Sequence, residues 1–571
     1  MELHPSVADR LARLAPDQRA AAMAPPGPLL CVAPAGSGKT TTLVARVAWL
    51  IASGTAKSTE IAAITFNTRA AEELRERLAS ALEPLGVEVG TVRVRTFHAL
   101  GLEILRDSGA VVEPLVDRMA ILRQVAPAAG PAGWRALDTA ISRLKLDLCV
   151  TTGEVAADEE AGPTARAFVE YERAVAATGG LDFDDLVARA LALLESSPEI
   201  LGRWRTRCGH LLVDEAQDLD RAQLRLALLL AAPANRVFFV GDDDQSIYGW
   251  RLADVRRVLS LADALPGLRR ADLVVNYRCP PTVVGRAVRL VEHNRERFAK
   301  TIRAGPTATG SIILARDSSD ETVRIGRVVD AWPLDDATRA ILARTNRELL
   351  PAIAVCLDRR LPFRPPAAEL LVGSPLVDRA LDAAEATDET LPLPARLEAV
   401  RRRWAAAPPE IEADLEPDPD APQPADIARA LVAWSVPFAT IADLRAAVAQ
   451  RRAALAELCR DDAPLSLATA HGTKGLEFDH VAVIGMDAGR FPSRRSVTES
   501  PEPGRALEEE RRLAYVAWTR ARRTLTLVYD PLAPSLFMLE AFGADELGVE
   551  PDAVRAGVAA AGPALAAAEA T

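Results

Sequence analysis

The sequence lacks the marks of an exported, membrane-inserted or metal-clustered protein. It has no basic-then-apolar leader, and no apolar run approaches the roughly 20 residues that a membrane span needs. Its six cysteines lie far apart without a C-x-x-C pair, and its six histidines show no ligand spacing. We therefore expect reduced, mostly buried thiols and a cytoplasmic protein without membrane contact.

An excess of basic charge is also missing. The formal net charge is −11, which argues against a protein that coats nucleic acid through a global basic field. Seven acidic side chains and no basic one fall within residues 410–426, and the rest of the chain is nearly balanced. A local basic track along the surface thus remains compatible with the composition.

Apolar runs in the chain predict two α/β domains with mostly parallel, doubly wound sheets. At 571 residues and 49% hydrophobic content, the chain is long enough for several cores. Short β-branched or aliphatic runs alternate with helical patterns, as in βαβ units. The predicted strands are 29–33, 61–65, 92–97, 210–215, 236–242, 273–277, 311–316, 339–344, 465–471, 480–486 and 524–529.

Each predicted α/β domain is interrupted by a helical pattern. The first domain is predicted over 1–105 and 179–275, with residues 106–178 as a helical insertion. The second is predicted over 276–365 and 461–535. Its insertion, 366–460, contains an acidic, proline-rich linker. Residues 536–571 form a C-terminal tail, of which the last ~25 are alanine-rich and weakly patterned and are assigned no function.

A phosphate-binding loop follows the first predicted strand. Residues Ala33, Pro34, Ala35, Gly36, Ser37, Gly38, Lys39 and Thr40 lead into a helix that begins near Thr41. In such a Walker A arrangement the backbone N–H groups close on the phosphates and the lysine neutralises their charge. The Thr40 hydroxyl would ligate Mg²⁺, and Thr41 also belongs to the predicted nucleotide-binding residues. The first position of the pattern is Ala33 rather than the usual glycine.

Two carboxylates end a later apolar strand. Asp214 and Glu215 follow Leu211, Leu212 and Val213. Beside a phosphate loop, the first carboxylate would contact the metal, and the second would orient or deprotonate the attacking water. The alternative is that both side chains cap a following helix. The upstream loop favours the catalytic interpretation.

Further motifs make the sequence resemble the UvrD/Rep/PcrA family of superfamily 1 helicases. They come in the family order, span residues 14–522 and cover neither insertion. They include Glu215-Ala216-Gln217-Asp218, residues 240–251, 65–71, 96–98, 276–278, 469–478 and 509–521. The resemblance implies two RecA-like P-loop NTPase domains, each with an inserted mainly helical subdomain, of which the second is reduced.

For ATP, the resemblance implies residue roles on both domains. Gln18 would read the adenine edge, Tyr277 would stack on the base, and Glu477 would hold the ribose hydroxyl. Gln245 would sense the γ-phosphate, which Arg278 and Arg520 would reach from the second domain. Thr40 and Asp214 would hold Mg²⁺.

For DNA, the resemblance implies a stacking track. Aromatic faces at Phe66, His98, Tyr248 and Trp250 would stack successive bases with little regard to sequence. Arg69, Thr96 and His471 would position phosphates, which makes binding depend on salt. The implied partners are single-stranded DNA and 3'-tailed duplex, with protein partners for loading or activation.

The chain departs from the family pattern at several places. Thr41 stands where arginine is usual, Leu252 where glycine commonly follows the Trp-Arg pair, and Trp518 where a small or aliphatic residue is usual. The second insertion has fewer than 100 residues and lacks the family's long phenylalanine-containing segment and its duplex-contacting glycine motif. Strand separation is therefore less firmly implied than hydrolysis and translocation.

These features imply an ATP-driven 3'-to-5' helicase or translocase on single-stranded DNA, acting in DNA repair or recombination. An alternative is a motor subunit of a larger DNA-processing or defence complex, with little unwinding activity alone. A non-motor ATP switch would predict damaged catalytic groups, whereas Lys39, Asp214, Glu215, Gln245, Arg278 and Arg520 are all present. RNA as the track stays open. No nuclease signature follows Arg522.

Overall fold

Contacts divide the protein into two units. The structure, a computed structural model, describes residues 3–157, 162–366, 372–406 and 424–560. The first unit comprises Met1–Tyr277 and Asn294–Arg303, and the second comprises Arg278–His293 and Ala304–Thr571. Residues 407–423, which include most of the acidic stretch 410–426, and the last residues, 561–571, lie outside the described residues. Within the described ranges, no helix is both long and apolar enough to cross a membrane.

The first unit is built on a six-stranded parallel sheet. Its strand order is β3-β2-β4-β5-β1-β6, and every neighbouring pair runs parallel. The strands are β1 (Leu29–Val32), β2 (Ile61–Thr65), β3 (Arg93–Thr96), β4 (His210–Val213), β5 (Val237–Gly241) and β6 (Arg269–Asp272). Two short strands, β7 (Val275–Asn276) and β8 (Arg303–Ala304), lie outside this sheet.

The sixth strand differs from the sequence prediction. The apolar pattern predicts a strand over 273–277, but β6 at Arg269–Asp272 pairs with β1, and only Val275–Asn276 of the predicted run is a strand. β6 lies at the sheet edge and exposes alternate residues. Edge strands tolerate charged side chains, and the two arginines hid this strand from a search for apolar runs.

Helices cover both faces of the first sheet. Leu30 and Val32 of β1 belong to one buried cluster, whereas Leu29 and Cys31 belong to the other. Because successive side chains of a strand point to opposite faces, the sheet is buried on both sides. The helices are α1 (Pro5–Ala12), α2 (Pro16–Ala22), α3 (Lys39–Ala52), α4 (Thr68–Leu82), α5 (Phe97–Asp107), α6 (Arg118–Val125), α7 (Gly130–Ser142), α8 (Thr152–Ala157), α9 (Pro163–Thr178), α10 (Asp185–Ser196), α11 (Pro198–Arg207), α12 (Arg221–Ala231), α13 (Val255–Leu259) and α14 (Leu261–Ala264).

The stretch predicted as the first insertion is helical where it is described. Helices α6 to α9 and a π-helical turn (Arg143–Leu148) share a small core of their own, which includes Leu122, Ile141, Phe168 and Tyr171. This core is separate from the two clusters that cover the sheet. Because these helices pack mainly on one another, they can be inserted between β3 and β4 without disrupting the parallel sheet.

The second unit contains another six-stranded parallel sheet, with order β11-β12-β10-β13-β14-β9. Its strands are β9 (Ser311–Arg316), β10 (Arg339–Ala343), β11 (Phe363–Arg364), β12 (Leu465–Thr469), β13 (Phe478–Val483) and β14 (Ala521–Tyr529). Its helices are α15 (Pro281–Val291), α16 (Glu321–Asp330), α17 (Leu350–Asp358), α18 (Pro375–Glu385), α19 (Leu393–Ala406), α20 (Pro424–Ser435), α21 (Ile441–Leu458), α22 (Arg494–Thr498), α23 (Pro503–Trp518), α24 (Leu536–Ala541), α25 (Ala544–Leu547) and α26 (Pro551–Ala560). The described part of 366–460 is the four-helix group α18 to α21, which has its own core.

The first residues of the predicted C-terminal tail pack against the second unit. Leu536, Phe537, Met538 and Ala541 of α24 are buried, and the Tyr529 hydroxyl donates to the Leu547 carbonyl at 2.8 Å. Residues 536–547 therefore complete the core of the second unit rather than forming a free tail. The tail prediction missed them because α24 is short, with six residues.

Candidate nucleotide site and aromatic surface

Three loops of the first unit meet at one edge of its sheet. The phosphate loop follows β1, Asp214 and Glu215 follow β4, and Asp242 to Gln245 follow β5. Since β5 lies between β4 and β1 and all three are parallel, their carboxyl ends share that edge. The Ala33 N–H donates to the Gly241 carbonyl at 2.8 Å, which joins two of the loops directly. Such edges are the usual ligand sites of open α/β sheets.

The phosphate loop is held in shape by Gln18. Its Nε2 donates to the Ser37 carbonyl at 2.8 Å, and its Oε1 accepts from the Ala15 N–H at 3.1 Å. Gly38 has φ +82°, and a Cβ there would come within 2.6 Å of Gln18 Nε2. Glycine is thus required twice, for its backbone conformation and for the close approach.

Ser37 and Lys39 fit a bound phosphate. The Ser37 hydroxyl oxygen is buried and has no hydrogen-bond partner among the described residues, which suits a donor to a phosphate oxygen. Lys39 Nζ lies 3.5 Å from the Ala33 carbonyl oxygen and 4.0 Å from Glu215 Oε1. The lysine charge therefore lies between the loop and the carboxylates that follow β4.

Glu215 is positioned by its neighbours. Its backbone has φ 51°, a left-handed conformation that costs a non-glycine residue on the order of 1–3 kcal/mol. Its N–H donates to Asp214 Oδ1 at 2.9 Å, and Gln217 Nε2 donates to Glu215 Oε2 at 2.6 Å. Strain of this kind concentrates at functional sites, where surrounding bonds maintain it.

Gln217 also reaches the neighbouring loop. Its Oε1 accepts from the Asp242 N–H at 2.9 Å, and a Cβ on Gly241 would lie 2.4 Å from that oxygen. A glycine at 241 is what permits this approach. The sequence prediction assigned no role to Gln217, although it stands two residues after Glu215.

Thr40 and Asp214 supply donors that suit Mg²⁺. A threonine hydroxyl and an aspartate carboxylate are the oxygen ligands that this cation takes from proteins beside phosphate groups. Asp214 is 9% exposed. Thr41, where the family pattern has arginine, is exposed in the first turn of α3.

Tyr277 is tied to the phosphate loop through its backbone. Its N–H donates to the Gly36 carbonyl at 2.9 Å, and its side chain is 45% exposed. Asp17, next to Gln18, accepts from the Val274 N–H at 2.8 Å. An exposed aromatic face beside Gln18 and the loop has the chemistry to stack on a purine base.

An aromatic group lies at the same sheet edge. The Phe66 and Tyr248 rings stack with centroids 5.0 Å apart, and Tyr248 meets Trp250 edge to face at 6.2 Å. Trp250 is 59% exposed, with the Arg251 guanidinium 4.6 Å from its ring centroid. The structure therefore brings together three of the four aromatic residues that were predicted to stack on bases.

His98, the fourth, has a partner that the sequence prediction missed. Its ring stacks on Phe183 with centroids 4.0 Å apart, and Phe183 is 58% exposed. The signal was an apolar ring among acidic neighbours in Leu181-Asp182-Phe183-Asp184-Asp185. Burial lowers the His98 pKa to about 4, only partly offset by Asp184, so the imidazole is neutral near pH 7.

The predicted phosphate contacts differ in their surroundings. Thr96 Oγ1 accepts from the Ala99 N–H at 3.2 Å and so caps α5. Arg69 is exposed in the first turn of α4. His471, on the second unit, has its pKa lowered to about 3 by burial and by Arg344 and Lys474. A neutral imidazole offers a phosphate a hydrogen bond rather than a charge.

The second unit brings Arg278, Glu477 and Arg520 into one cluster. Arg278 Nε donates to Glu477 Oε2 at 2.8 Å. Arg520 is 1% exposed and donates from Nε to the Val516 carbonyl and from Nη1 to the Leu476 carbonyl, at 2.8 and 3.2 Å. Glu477 is adjacent to Leu476 in the chain, so all three predicted nucleotide contacts of this unit share one region.

Two departures from the family pattern have structural consequences. Leu252 has φ 67°, a conformation that glycine adopts without strain and leucine does not. Trp518 is fully buried, and its ring centroid lies 6.3 Å from that of Phe542. The large residue at 518 is therefore accommodated by the packed stretch that follows β14.

A doubly wound parallel sheet with this loop and carboxylate pair defines a P-loop nucleotide hydrolase. The profile described as UvrD/REP helicase N-terminal domain matches residues 14–266, and that described as UvrD-like helicase C-terminal domain matches residues 443–531. The chain belongs to the UvrD/Rep helicase family and is an ATP-hydrolysing enzyme.

Several curated relatives are similar over nearly the whole chain. DNA helicase II of Escherichia coli (strain K12) is 29% identical over 90% of this chain and 84% of its own length. The ATP-dependent DNA helicase Rep of the same organism is 28% identical over 92% and 94%. The ATP-dependent DNA helicase UvrD2 of Mycobacterium bovis is 30% identical over 90% and 78%.

Proposed function

We propose that the protein is an ATP-dependent DNA helicase that moves 3'-to-5' along single-stranded DNA. The observation that carries the proposal is a single loop. Residues 242–250 follow β5 and contain Gln245, next to the predicted ATP groups, together with the half-buried Tyr248 and the exposed Trp250. A single loop that contacts ATP through Gln245 and DNA through Trp250 would couple ATP hydrolysis to movement along DNA.

For hydrolysis, the first unit supplies the residues that bind the phosphates and the residue that activates the attacking water. Lys39 and the loop N–H groups bind the phosphates, and Glu215, held by Gln217, orients and deprotonates the attacking water. Thr40 and Asp214 would hold a Mg²⁺ ion, which when bound would neutralise phosphate charge. Gln18 and Tyr277 hold the adenine, which selects ATP over other nucleotides.

The second unit completes the proposed mechanism as a second RecA-like domain. Arg278 and Arg520 stabilise charge on the transferring phosphoryl group, and Glu477 binds the ribose hydroxyl. Arg278 and Glu477 form an ion pair, so nucleotide binding exchanges this pair for contacts to ATP.

For DNA, the aromatic residues form a stacking surface that tolerates any sequence. Phe66, Tyr248 and Trp250 belong to it, and Phe183 extends it beside His98. Base stacking on such rings contributes about 1–3 kcal/mol per base. Single-stranded DNA and 3'-tailed duplex are the proposed substrates, in DNA repair or recombination.

One observation favours a second candidate, a motor subunit of a larger DNA-processing or defence complex. The second insertion is small, and in its described part it is a four-helix group with its own core. A subunit of this kind would hydrolyse ATP and translocate but unwind little alone. Loading or activating proteins are the partners that either function requires.

Two assays on the whole chain separate these functions. ATP hydrolysis is measured with and without single-stranded DNA, and unwinding is measured on 3'-tailed and 5'-tailed duplexes, with Lys39→Ala as the inactive control. The proposal expects DNA-stimulated hydrolysis and unwinding from the 3' tail. Stimulated hydrolysis without unwinding supports the subunit function, and preference for the 5' tail overturns the polarity.

A further inference from the structure

The segment Asn294–Arg303 buries a lysine against three consecutive aspartates. Lys300 Nζ lies 2.7 Å from Asp242 Oδ1 and 3.0 Å from Asp244 Oδ2, and it also pairs with Asp243. The Lys300 side chain is 1% exposed and the three carboxylates are fully buried. These contacts explain why the segment belongs to the first unit, although the sequence predicted residues from 276 onward in the second domain.

Asp242 links that lysine to Gln245. One carboxylate oxygen, Oδ1, accepts from Lys300, and the other, Oδ2, accepts from Gln245 Nε2 at 2.7 Å. The Asp242 N–H is fixed as well, through Gln217, which holds Glu215. Asp242 has little freedom to rotate, because both of its carboxylate oxygens and its backbone N–H are hydrogen-bonded. Lys300 therefore fixes the orientation of the Gln245 amide through the Asp242 carboxylate.

The charge on Lys300 is what sustains this arrangement. Burial disfavours the ammonium, but Asp242, Asp244 and Asp243 outweigh that effect and raise the Lys300 pKa. A buried carboxylate left without its cation is strongly unfavourable and moves or takes up a proton instead. Removing the lysine would therefore release Asp242 from its present geometry.

We propose that Lys300 is a positioning residue for ATP hydrolysis, acting on Gln245 through the Asp242 carboxylate. The inference rests on the proposed function, in which Gln245 contacts the γ-phosphate. It assigns a catalytic consequence to a residue that lies 55 positions after Gln245 and outside the motifs that carry the family resemblance.

Arg297 provides a matched control within the same segment. Its Nε and Nη2 donate to Asp244 at 3.0 and 2.9 Å, so it too neutralises a buried aspartate of the triplet. It binds Asp244, however, whereas Asp242 is the carboxylate bonded to Gln245. Loss of Arg297 should lower the free energy of unfolding, as loss of Lys300 does. It should not change the orientation of the Gln245 amide.

The test is a double-mutant cycle in DNA-stimulated hydrolysis. Lys300→Met is expected to lower kcat roughly 10- to 100-fold, with ATP affinity within about 3-fold of the natural chain, because misaligned catalytic groups cost rates of this order. Arg297→Gln is expected to keep kcat within about 3-fold. In a Gln245→Ala background, Lys300→Met should lower kcat by less than about 2-fold, since groups acting as one unit are not additive.

Three outcomes would overturn the inference. They are equal losses of kcat in Lys300→Met and Arg297→Gln, a full loss in the Gln245→Ala background, and a fall in ATP affinity that matches the fall in kcat. If Lys300→Met does not fold, as judged by circular dichroism, Lys300→Gln, which removes the charge but keeps a hydrogen-bond donor, takes its place in the same cycle with the same expected losses. If Gln245→Ala alone leaves kcat unchanged, it is the proposed function that fails.

Discussion

Gln217 donates a hydrogen bond of 2.6 Å to Glu215, the proposed general base for hydrolysis. The same amide accepts from the Asp242 N–H, so a single side chain spans the loops that follow β4 and β5. Since Glu215 has a left-handed backbone, this bond is one of the contacts that maintain a strained but useful orientation.

Replacing Gln217 should slow hydrolysis more than it weakens binding. Gln217→Ala is expected to lower DNA-stimulated kcat roughly 10- to 100-fold, because the general base loses its orientation. ATP affinity, measured by equilibrium titration with a fluorescent analogue, should change less than about 3-fold. Gln223→Ala, a glutamine on α12, is the control and should retain natural turnover. Loss of ATP affinity in step with kcat would assign Gln217 to folding of the loop instead.

Phe183 should contribute to DNA binding even though no motif led to it. Phe183→Ala is expected to weaken binding of an oligothymidylate by about 1–3 kcal/mol, the usual worth of one stacked base. Hydrolysis without DNA should be unchanged. Phe183→Trp keeps an aromatic face and should bind normally in a fluorescence anisotropy titration. Equal affinity for the alanine variant and the natural chain would remove Phe183 from the track.

Gly38 should tolerate no side chain. In Gly38→Ala the added Cβ meets Gln18 Nε2 at 2.6 Å and occupies a left-handed backbone conformation, so we expect at least a 10-fold loss of ATP affinity. Gly86→Ala is the control, because Gly86 has φ +66° and a Cβ added there would have no described atom within 4 Å. Only the conformational strain, about 1 kcal/mol in urea unfolding, is expected there. A Gly38→Ala protein that binds ATP normally would contradict the geometry of the loop.

Burial of His98 predicts a pH dependence of stability. Its folded-state pKa is about 4, below the ordinary value of 6.5, so the unfolded chain binds more protons between these values. The free energy of unfolding should therefore fall as pH falls from 6.5 toward 4, and be unaffected by this group above 6.5. Urea unfolding across that range should show a smaller fall for His98→Gln than for the natural chain. His293→Gln, at an exposed histidine, should leave the slope unchanged.

The sequence predicted most of the sheet strands, because buried parallel strands are apolar runs. The phosphate loop and the carboxylates after β4 lie at one sheet edge, because the carboxyl ends of parallel strands coincide. The sequence prediction missed β6, whose edge position admits arginines, and α24, which is too short to show a helical period. Phe183 and Lys300 were missed for another reason. Phe183 contacts His98 and Lys300 contacts Asp242, each in a distant segment of the chain, and a local sequence pattern does not reveal such contacts.

The proposed link between ATP hydrolysis and DNA binding depends on the loop of residues 242–250, since this loop contains both Gln245 and the exposed Trp250. The most direct measurement is turnover of Trp250→Ala with and without saturating oligothymidylate, beside the natural chain. We expect basal hydrolysis to stay within about 2-fold of the natural chain, whereas stimulation by DNA should be largely lost, because the stacked base no longer acts on the loop. Equal loss of basal and stimulated turnover would show that Trp250 maintains the conformation of the loop rather than contacting DNA, and would contradict the proposed link between DNA and hydrolysis.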